Sequence, residues 1–351
     1  MTSTKPILAI TMGDPAGVGP EVIVGSWDNP RVMASSRRVV VGRVAVIRRA
    51  VELLGRPFRV VKANGPESAS DSPIEIPVCE IEFAGGDDLT AGVVDPSAGR
   101  VAHDSFIQAV DWALAGTVTG IVTAPLNKEA LFAAGFRVPG HTELLAELCG
   151  VKNVAMMLYL PGETNKIPQA AGLGVVHVTL HTALRNVFGQ LSIDRIVDRC
   201  QLVCAFVSRV LRAKGETRLP RVGVAALNPH AGEGGLFGDE ELQIIAPAVT
   251  RAVGLGLPVS GPYPCDTLMH RAAGGEFDAV VAMYHDQGHI ALKLLGLHEA
   301  VNVTLGLPII RTSVAHGTAF DLAWQGRAQS NSMAQAICLA AELSKNRTDL
   351  N

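Results

Sequence analysis

Three histidines stand where apolar runs give way to polar or glycine-rich turns: His181, His230 and His285. Each run has the length and aliphatic content of a buried strand. Because the carboxyl ends of parallel strands meet at one edge of a sheet, the three imidazoles could converge there and bind a divalent metal. Three independent structural histidines would produce the same pattern, and these residues alone leave both interpretations open.

A set of basic and amide side chains follows the last of these histidines. Lys293, Asn302 and Arg311 are single polar residues in otherwise aliphatic sequence. Lysine and arginine together favour a carboxylate or phosphate ligand, because both donate charge-assisted hydrogen bonds to its oxygens. Asp266, which follows a proline-containing turn, could face the same ligand, although a helix-capping role fits its position equally well.

The segment Pro139–Leu145 indicates a second place for an anion. Thr142 is a plausible helix N-cap, and the turn before it exposes His141. Backbone N–H groups at the start of a helix, together with a hydroxyl and an imidazole, form a good anion site. Plain capping by Thr142 is the alternative.

Two glycine-containing turns bear on nucleotide binding. Gly17 and Gly19 are not followed by the third glycine of the Rossmann fingerprint, since Val22 stands at that position. Any nucleotide must therefore be held in another way. The loop Ala315–Ala323 enters a helix and contains Asp321, and a backbone-lined loop of this kind can carry an adenine ribose.

Alternating strands and helices must position these residues. The predicted strands are Ile7–Met12, Val39–Gly42, Phe58–Val61, Gly120–Thr123, Val154–Leu160, Val175–Leu180, Arg221–Leu227 and Ala279–Met283. The predicted helices are Val44–Leu54, His103–Ala115, 193–213 and Asp239–Ala252. Residues 62–78 are predicted to form a polar loop, to which we assign no function. The alternation predicts an α/β fold with a largely parallel sheet.

Composition limits the class of protein. The chain has 351 residues, of which 48% are hydrophobic and 18% charged. This length and composition predict a compact globular protein with a large core. A formal charge of −3 offers no electrostatic case for nucleic acid or an anionic membrane as partner. No apolar stretch approaches the roughly 20 residues that span a bilayer, and the N-terminus lacks a signal-peptide pattern. Six scattered cysteines without a CxxC pair predict a cytoplasmic protein with reduced thiols.

The chain resembles the PdxA family of 4-hydroxythreonine-4-phosphate dehydrogenases. The resemblance runs over nearly the whole chain and rests on several specific motifs. They are TMGDPAGVGPEV at 11–22, TAPLNKEAL at 123–131, PGHTELLAE at 139–147, HTALR at 181–185, LNPHAGEGGLFGDEE at 227–241, MYHDQGH at 283–289 and NVTLGLPIIRTS at 302–313.

The resemblance implies a fold like that of isocitrate and isopropylmalate dehydrogenases, with two α/β domains and a cleft between them. We expect residues 1–137 plus 318–351 to form the first domain. Residues 138–317 would form the second, carrying the metal ligands and the interface of a homodimer whose active site both protomers share.

The resemblance also implies roles for individual residues. His181, His230 and His285 match a divalent metal site (zinc, magnesium or cobalt) shared between protomers. Substrate contacts match His141, Thr142, Lys293, Asn302 and Arg311, and Asp266 matches an acidic position beside the substrate. The cofactor loop, which contacts the adenosine of NAD or NADP, matches His316, Gly317, Thr318, Ala319 and Asp321.

The implied activity is NAD-dependent oxidation and decarboxylation of a phosphorylated 3-hydroxy acid of the 4-hydroxy-L-threonine 4-phosphate type, a step of pyridoxal phosphate biosynthesis. A metal would lower the pKa of the substrate hydroxyl and polarise the new ketone. Lys293 and Arg311 would hold the anionic ends of the substrate. Asp266, Lys293 or a metal-bound water could take the hydroxyl proton.

Some residues resemble a second branch of the family, which acts on D-threonate or D-erythronate 4-phosphate. They are GLFGDEE at 235–241, His289 and the stretch AFDLAWQGRAQSNSM. Ala315 stands where the family usually has Asp, which bears on the cofactor loop. More distant relatives oxidise cis-dihydrodiols, and a metal-dependent lyase or a non-catalytic phosphate-ligand binder are alternatives from other classes.

Overall fold

A computed structural model describes residues 5–82, 90–137, 141–164 and 166–345. Its strands are β1 Ile7–Thr11, β2 Arg37–Gly42, β3 Arg59–Ala63, β4 Glu75–Glu80, β5 Gly120–Thr123, β6 Ala155–Leu160, β7 Leu173–His177, β8 Val222–Ala225, β9 Val259–Tyr263, β10 Ala279–Ala282, β11 Val301–Leu305 and β12 Ile310–Val314.

The helices complete the alternation predicted from the sequence. They are α1 Gly19–Ser26, α2 Pro30–Ser35, α3 Val44–Leu53, α4 Pro96–Leu114, α5 Lys128–Ala133, α6 His141–Leu148, α7 Val187–Gln190, α8 Ile193–Ala213, α9 Ala246–Gly254, α10 Cys265–Ala273, α11 His285–Gly296 and α12 Asn331–Ser344. A π-helical turn, Glu241–Ile245, leads directly into α9. The α/β class is therefore confirmed.

The chain divides into two compact units. The first takes in residues up to Lys152 and again from Leu307, and the second runs from Asn153 to Gly306. The divisions thus lie at 152/153 and 306/307, whereas the sequence placed domain boundaries at 137/138 and 317/318. Helix α6, which carries Thr142, consequently belongs to the first unit.

The first unit is built on a parallel sheet with the strand order β3-β4-β2-β1-β5-β12. The middle of its inner strands β1 and β2 is aliphatic, and Leu8–Ile10 and Val39–Val41 are fully buried. Continuous apolar runs of this kind form where helices cover both faces of a parallel sheet. Helices α1, α3, α4 and α12 pack on this sheet or on one another.

One element of this sheet contradicts the prediction from sequence. Residues 62–78 were expected to form a polar loop, yet β4 begins at Glu75 and its Val78 pairs with both Val40 and Lys62. The segment EIPVCE has no clear alternation of apolar and polar residues, and it contains a proline. It becomes a strand because β2 and β3 supply hydrogen-bonding partners on both sides, which is a tertiary effect.

The second unit has the strand order β11-β6-β7-β10-β8-β9. Strand β6 is antiparallel to both of its neighbours, whereas β7, β10, β8 and β9 run parallel. The carboxyl ends of β7, β10 and β8 therefore lie at one edge, and the chain continues from them toward His181, His285 and His230 respectively. The order of the strands thus directs three histidine-bearing segments to the same edge. No helix among the described residues is both long and apolar enough to cross a membrane.

A buried carboxylate anchors the opposite end of β10. Asp278 is fully buried and accepts hydrogen bonds from the side chains of Arg218 and Arg221 and from the Arg221 backbone N–H. Burial raises the pKa of Asp278, but the hydrogen bonds from the two arginines outweigh it, so the pKa lies below its ordinary value. The charged form therefore stabilises the fold.

Replacing Asp278 with Asn is expected to lower the free energy of unfolding by about 2–3 kcal/mol at neutral pH, since the arginines lose a charged acceptor. A depressed pKa in the folded state contributes stability that is present above the unfolded pKa of about 3.9 and lost as the pH falls. Urea unfolding should thus show a gap between wild type and D278N that narrows below about pH 4. A gap that widens on acidification would contradict the ion pair.

Candidate active site

Two of the three predicted metal ligands lie on one pocket. The rings of His181 and His285 are 6.0 Å apart between centroids. They line an open pocket of about 520 Å³ together with Thr182, Tyr284 and Asp286. His181 is exposed and His285 half-buried, so both imidazoles can be reached from solvent.

A second imidazole stacks on His285. The rings of His285 and His289 are 3.7 Å apart and nearly parallel, at 11°. The Nδ1 atom of His289 lies 3.1 Å from Nε2 of His177 and 3.2 Å from the carbonyl oxygen of His285. Gly288 permits this approach, since a Cβ there would lie 2.5 Å from the His177 ring nitrogen. His289 therefore fixes the plane of the His285 ring.

Both supporting imidazoles are uncharged near neutral pH. Burial first, and then the nearby His285, lowers the pKa of His289 to about 4. Burial first, and then His289, lowers the pKa of His177 to about 3. Because neither ring carries a charge, they pack behind His285 without repelling a cation in the pocket.

Carboxylates stand beside Nδ1 of two of the predicted ligands. Asp286 Oδ1 lies 2.6 Å from Nδ1 of His285, and Glu233 Oε2 lies 3.4 Å from Nδ1 of His230. A carboxylate in this place favours the tautomer with hydrogen on Nδ1 and leaves the Nε2 lone pair for a metal.

His230 occupies a different environment from the other two. It lies on the exposed turn Pro229–Gly235, and its ring contacts the edge of Phe237 with centroids 6.3 Å apart. Within the residues that the structure describes, no three His, Cys, Asp or Glu side chains of the chain form a group that could hold a metal ion. One chain thus brings together His181 and His285 on the pocket.

Two local expectations about site residues need correction. Strand β7 ends at His177 and not at Leu180, so His181 lies four residues beyond the strand. The buried residue His177 was consequently missed, because the apolar run Val175–Leu180 gave no sign of an earlier end. Thr142 is the second residue of α6 and not its N-cap. The side chain of His141 lies outside the described residues.

The remaining predicted residues of the second unit are spread over three elements. Lys293 is half-buried on α11, eight residues after His285, and its charge contributes to the low pKa of His289. Asn302 is on β11, with its Oδ1 atom buried and without a hydrogen-bond partner in the described structure. Asp266 is exposed in the first turn of α10, where its carboxylate accepts the Thr267 N–H. The N-cap of α10 is Pro264 and Asp266 is the second residue of the helix, so the alternative prediction of a capping role for Asp266 is wrong.

Arg311 is a buried arginine of the first unit. It lies on β12 with 2% of its surface exposed, and Nη2 donates to Thr123 Oγ1 at 2.7 Å. Burial lowers its pKa to about 9, so the guanidinium remains charged at neutral pH. Arg311 is the second residue of β12, and its guanidinium reaches Thr123, the last residue of β5. A buried cation in this place suits an anionic ligand, since charge in a low dielectric binds counter-charge strongly.

The predicted cofactor loop forms an irregular segment of the first unit after β12. It does not enter a helix as expected, because residues 320–326 form turns and the next helix, α12, begins only at Asn331. Gly317 and Asp321 are exposed, and a Cβ at Gly317 would meet open space. Ala319 has a φ of +43°, in the left-handed region. The segment thus presents accessible backbone, as a nucleotide-binding loop requires, while the role of its residues stays a prediction.

The GDPAGVGPE motif is hydrogen-bonded to this loop and to the turn that follows it. Buried Glu21 accepts the N–H groups of Trp324 at 2.6 Å and Gly326 at 2.8 Å, two residues with φ of +60° and +69°. Val18 N–H donates to the Thr318 carbonyl at 3.0 Å. The motif thus hydrogen-bonds the backbone of the loop at Thr318 and of the turn that follows it at Trp324 and Gly326.

Comparisons with known proteins decide the family. The family described as pyridoxal phosphate biosynthetic protein PdxA matches residues 34–340. The chain belongs to the PdxA family. The D-threonate 4-phosphate dehydrogenase of Pectobacterium atrosepticum is 46% identical over 96% of this chain and 99% of its own length. The 4-hydroxythreonine-4-phosphate dehydrogenase of Geobacter metallireducens is 44% identical over 98% and 97% respectively.

Solved structures agree with this assignment. A crystal structure of 4-hydroxythreonine-4-phosphate dehydrogenase from Klebsiella pneumoniae matches with a TM-score of 0.83 and 45% identity, covering 97% of this chain and all of that one. These PdxA relatives are dehydrogenases, which act on CH–OH groups, and the present chain is an enzyme of that kind. Membership of PdxA confirms the resemblance seen in the motifs and argues against the lyase and the non-catalytic binder.

Proposed function

We propose that this PdxA protein oxidises and decarboxylates a phosphorylated 3-hydroxy acid of the 4-hydroxy-L-threonine 4-phosphate type, using NAD or NADP. The observation that carries the proposal is the pocket bearing His181 and His285 in a chain that matches such dehydrogenases along its whole length. Pyridoxal phosphate biosynthesis is the corresponding pathway.

A divalent ion (zinc, magnesium or cobalt) fits the donor set of the pocket. His181 and His285 supply two imidazoles, and Asp286 holds one of them in the tautomer that ligates through Nε2. We place the third ligand, the imidazole of His230, across the interface of a homodimer, because it is carried on an exposed turn. When bound, the ion would lower the pKa of the substrate hydroxyl and polarise the carbonyl formed from it.

Exposed apolar side chains of the second unit support that homodimer. They lie on the turns and helices that bear the histidines or directly follow them: Leu184, Phe188, Leu236, Phe237, Ile290 and Leu294. Leu236 is 72% exposed and Leu294 is 80% exposed, and several large apolar side chains exposed near one site favour a surface that another copy buries. All six cysteines are free, which supports the reducing conditions of the cytoplasm.

The charged and amide side chains would orient the substrate. Lys293 and Arg311 are assigned to its anionic ends, with Asn302, Thr142 and His141 as further contacts. The unpartnered Oδ1 of Asn302 supports this assignment, because a buried acceptor needs a donor from a ligand. The cofactor loop would hold the adenosine half of NAD through His316, Gly317, Thr318, Ala319 and Asp321.

The reaction then proceeds in two balanced steps. In the first, the hydroxyl proton passes to Asp266 or Lys293, and the hydride on the carbinol carbon passes to NAD. In the second, the bond to the carboxylate breaks and CO₂ leaves. The electron pair of the broken carbon–carbon bond moves toward the neighbouring ketone and forms an enolate. A proton then adds to the carbon that lost the carboxylate. Lys293 and Arg311 contribute by holding the carbinol hydrogen toward the cofactor.

A second candidate substrate is D-threonate 4-phosphate, or its relative D-erythronate 4-phosphate. The observation in its favour is His289, which packs directly behind His285 and belongs to the motif features shared with that branch. The 46% identical relatives from Pectobacterium atrosepticum and Salmonella typhimurium carry that substrate in their names. The change of substrate would leave the chemistry of oxidation and decarboxylation unaltered.

An assay of the metal-replete protein with NAD tests the proposal. We expect reduction of NAD with 4-hydroxythreonine 4-phosphate, D-threonate 4-phosphate or D-erythronate 4-phosphate, with release of one CO₂ for each NADH. The substrate with the highest kcat/KM decides between the two candidates. Activity confined to a cis-dihydrodiol, or no reduction of NAD with any of them, would overturn the proposal.

A further inference from the structure

The turn that carries His230 is left-handed. Five consecutive residues, His230 to Gly234, have φ between +44° and +77° and ψ between −9° and +53°. Three of them carry a Cβ: His230, Ala231 and Glu233. This backbone conformation is unfavourable for residues that have a Cβ, because the Cβ comes too close to the following carbonyl oxygen. A left-handed turn of this length therefore needs support from its surroundings.

One buried carboxylate supplies that support. Glu241 is 3% exposed, and its Oε1 accepts the N–H groups of Leu227 at 2.7 Å and Asn228 at 2.8 Å. Its Oε2 accepts the Asn228 side-chain amide at 2.9 Å. A Cβ on Gly232 would lie 2.7 Å from the same Oε2, so the turn folds directly over the carboxylate. The hydrogen bonds fix the entry to the turn, and the carboxylate lies close to its middle, at Gly232.

We infer that Glu241 is the positioning residue for His230: by holding the left-handed turn, it sets where that imidazole stands. The inference rests on the proposed role of His230 as a metal ligand. Glu241 itself would touch neither the metal nor the substrate. It acts through the backbone of Leu227 and Asn228, which leads from β8 into the turn. Its removal would let the turn relax toward right-handed geometry and carry His230 away from its place.

Glu241→Gln tests this in the intact protein. The substitution keeps the size of the side chain but turns one acceptor into a donor, which then faces the Asn228 amide. We expect zinc affinity, measured by competition with a chromophoric chelator, to fall about 10–100-fold. Hydrogen exchange of the Leu227 and Asn228 amides should quicken, while exchange in β8 stays unchanged. Asp239→Asn makes the same change from carboxylate to amide at an exposed neighbouring residue and is the matched control. It should alter neither the zinc affinity nor the amide exchange.

Ala231→Gly tests the handedness of the turn independently. Ala231 has a φ of +56°, which glycine adopts without the steric strain of a Cβ, and the relief of that strain offsets the larger backbone entropy that glycine loses on folding. The variant should therefore keep zinc affinity and have an equal or higher thermal midpoint. A lowered midpoint would show a right-handed turn and overturn the inference, as would unchanged amide exchange in E241Q. Unchanged zinc affinity in E241Q despite faster exchange would also overturn it. If His230→Ala binds zinc normally, the proposed ligand role fails, and the exchange data still judge the turn.

Discussion

Replacing His230 with Ala is expected to remove the bound metal and to lower kcat/KM by about 10²–10⁴-fold, equivalent to the several kcal/mol that a metal contributes to charge stabilisation. The side chain is 69% exposed, so its loss opens no cavity in the core. Stability and the dimer should therefore be retained. Metal content measured on the purified variant, together with steady-state kinetics and the mass of the assembly in solution, checks the three expectations.

The chain offers a control for this substitution. His298 is also exposed, lies in the same unit and belongs to none of the proposed contacts. His298→Ala should keep metal content and kcat/KM at the level of the wild type. Normal metal stoichiometry in H230A would remove His230 from the site. It would leave His181 and His285, which share the pocket, as ligands to be tested in the same way.

Replacing Arg311 with Met should raise KM for the phosphorylated substrate about 10–100-fold, as expected when a hydrogen bond to a charged group worth about 1.5–3 kcal/mol is lost. Met retains most of the volume of the buried side chain, and the Thr123 hydroxyl loses only one donor. We expect a smaller change in kcat, because Arg311 would bind the anionic end equally well in the bound substrate and in the transition state. KM for NAD should remain near its original value.

Arg38 provides the comparison for Arg311. It is fully buried in the same unit, stacks over Trp27 at 4.4 Å and donates to the Trp27 carbonyl. Arg38→Met should therefore lower the thermal midpoint while leaving KM for the substrate unchanged. If R311M shows the same pattern as R38M, Arg311 is a structural residue and does not bind the substrate.

Much of the fold could be predicted from local sequence. Strands β1, β5 and β10 were expected within one residue of their observed ends, because each is a short and mostly aliphatic run. Strand β4 escaped prediction, since its residues gain strand partners only from β2 and β3. Local pattern is informative where burial is continuous along the chain, and it fails where neighbours distant in sequence decide.

The candidate site shows the same division. The histidines, Lys293 and Arg311 could be selected because polar residues stand out in apolar sequence, and the motifs placed them in one family. The residues that hold the site and its loops in place by hydrogen bonds could not be selected from the sequence. His177, Glu21 and Glu241 act through hydrogen bonds to residues 13 to 305 positions away, such as His289, Gly326 and Asn228. No local pattern marks a residue for such a bond.

The sequence by itself determined the α/β class, the family and the identity of the chemically competent side chains, because these depend on residue type and on spacing along the chain. Only the tertiary structure decided which of them meet. It brought His181 and His285 onto one pocket, stacked His289 against His285 and put His230 on a left-handed turn. Strand order and backbone handedness are set by packing between distant segments, and the spacing of residues along the chain does not record them.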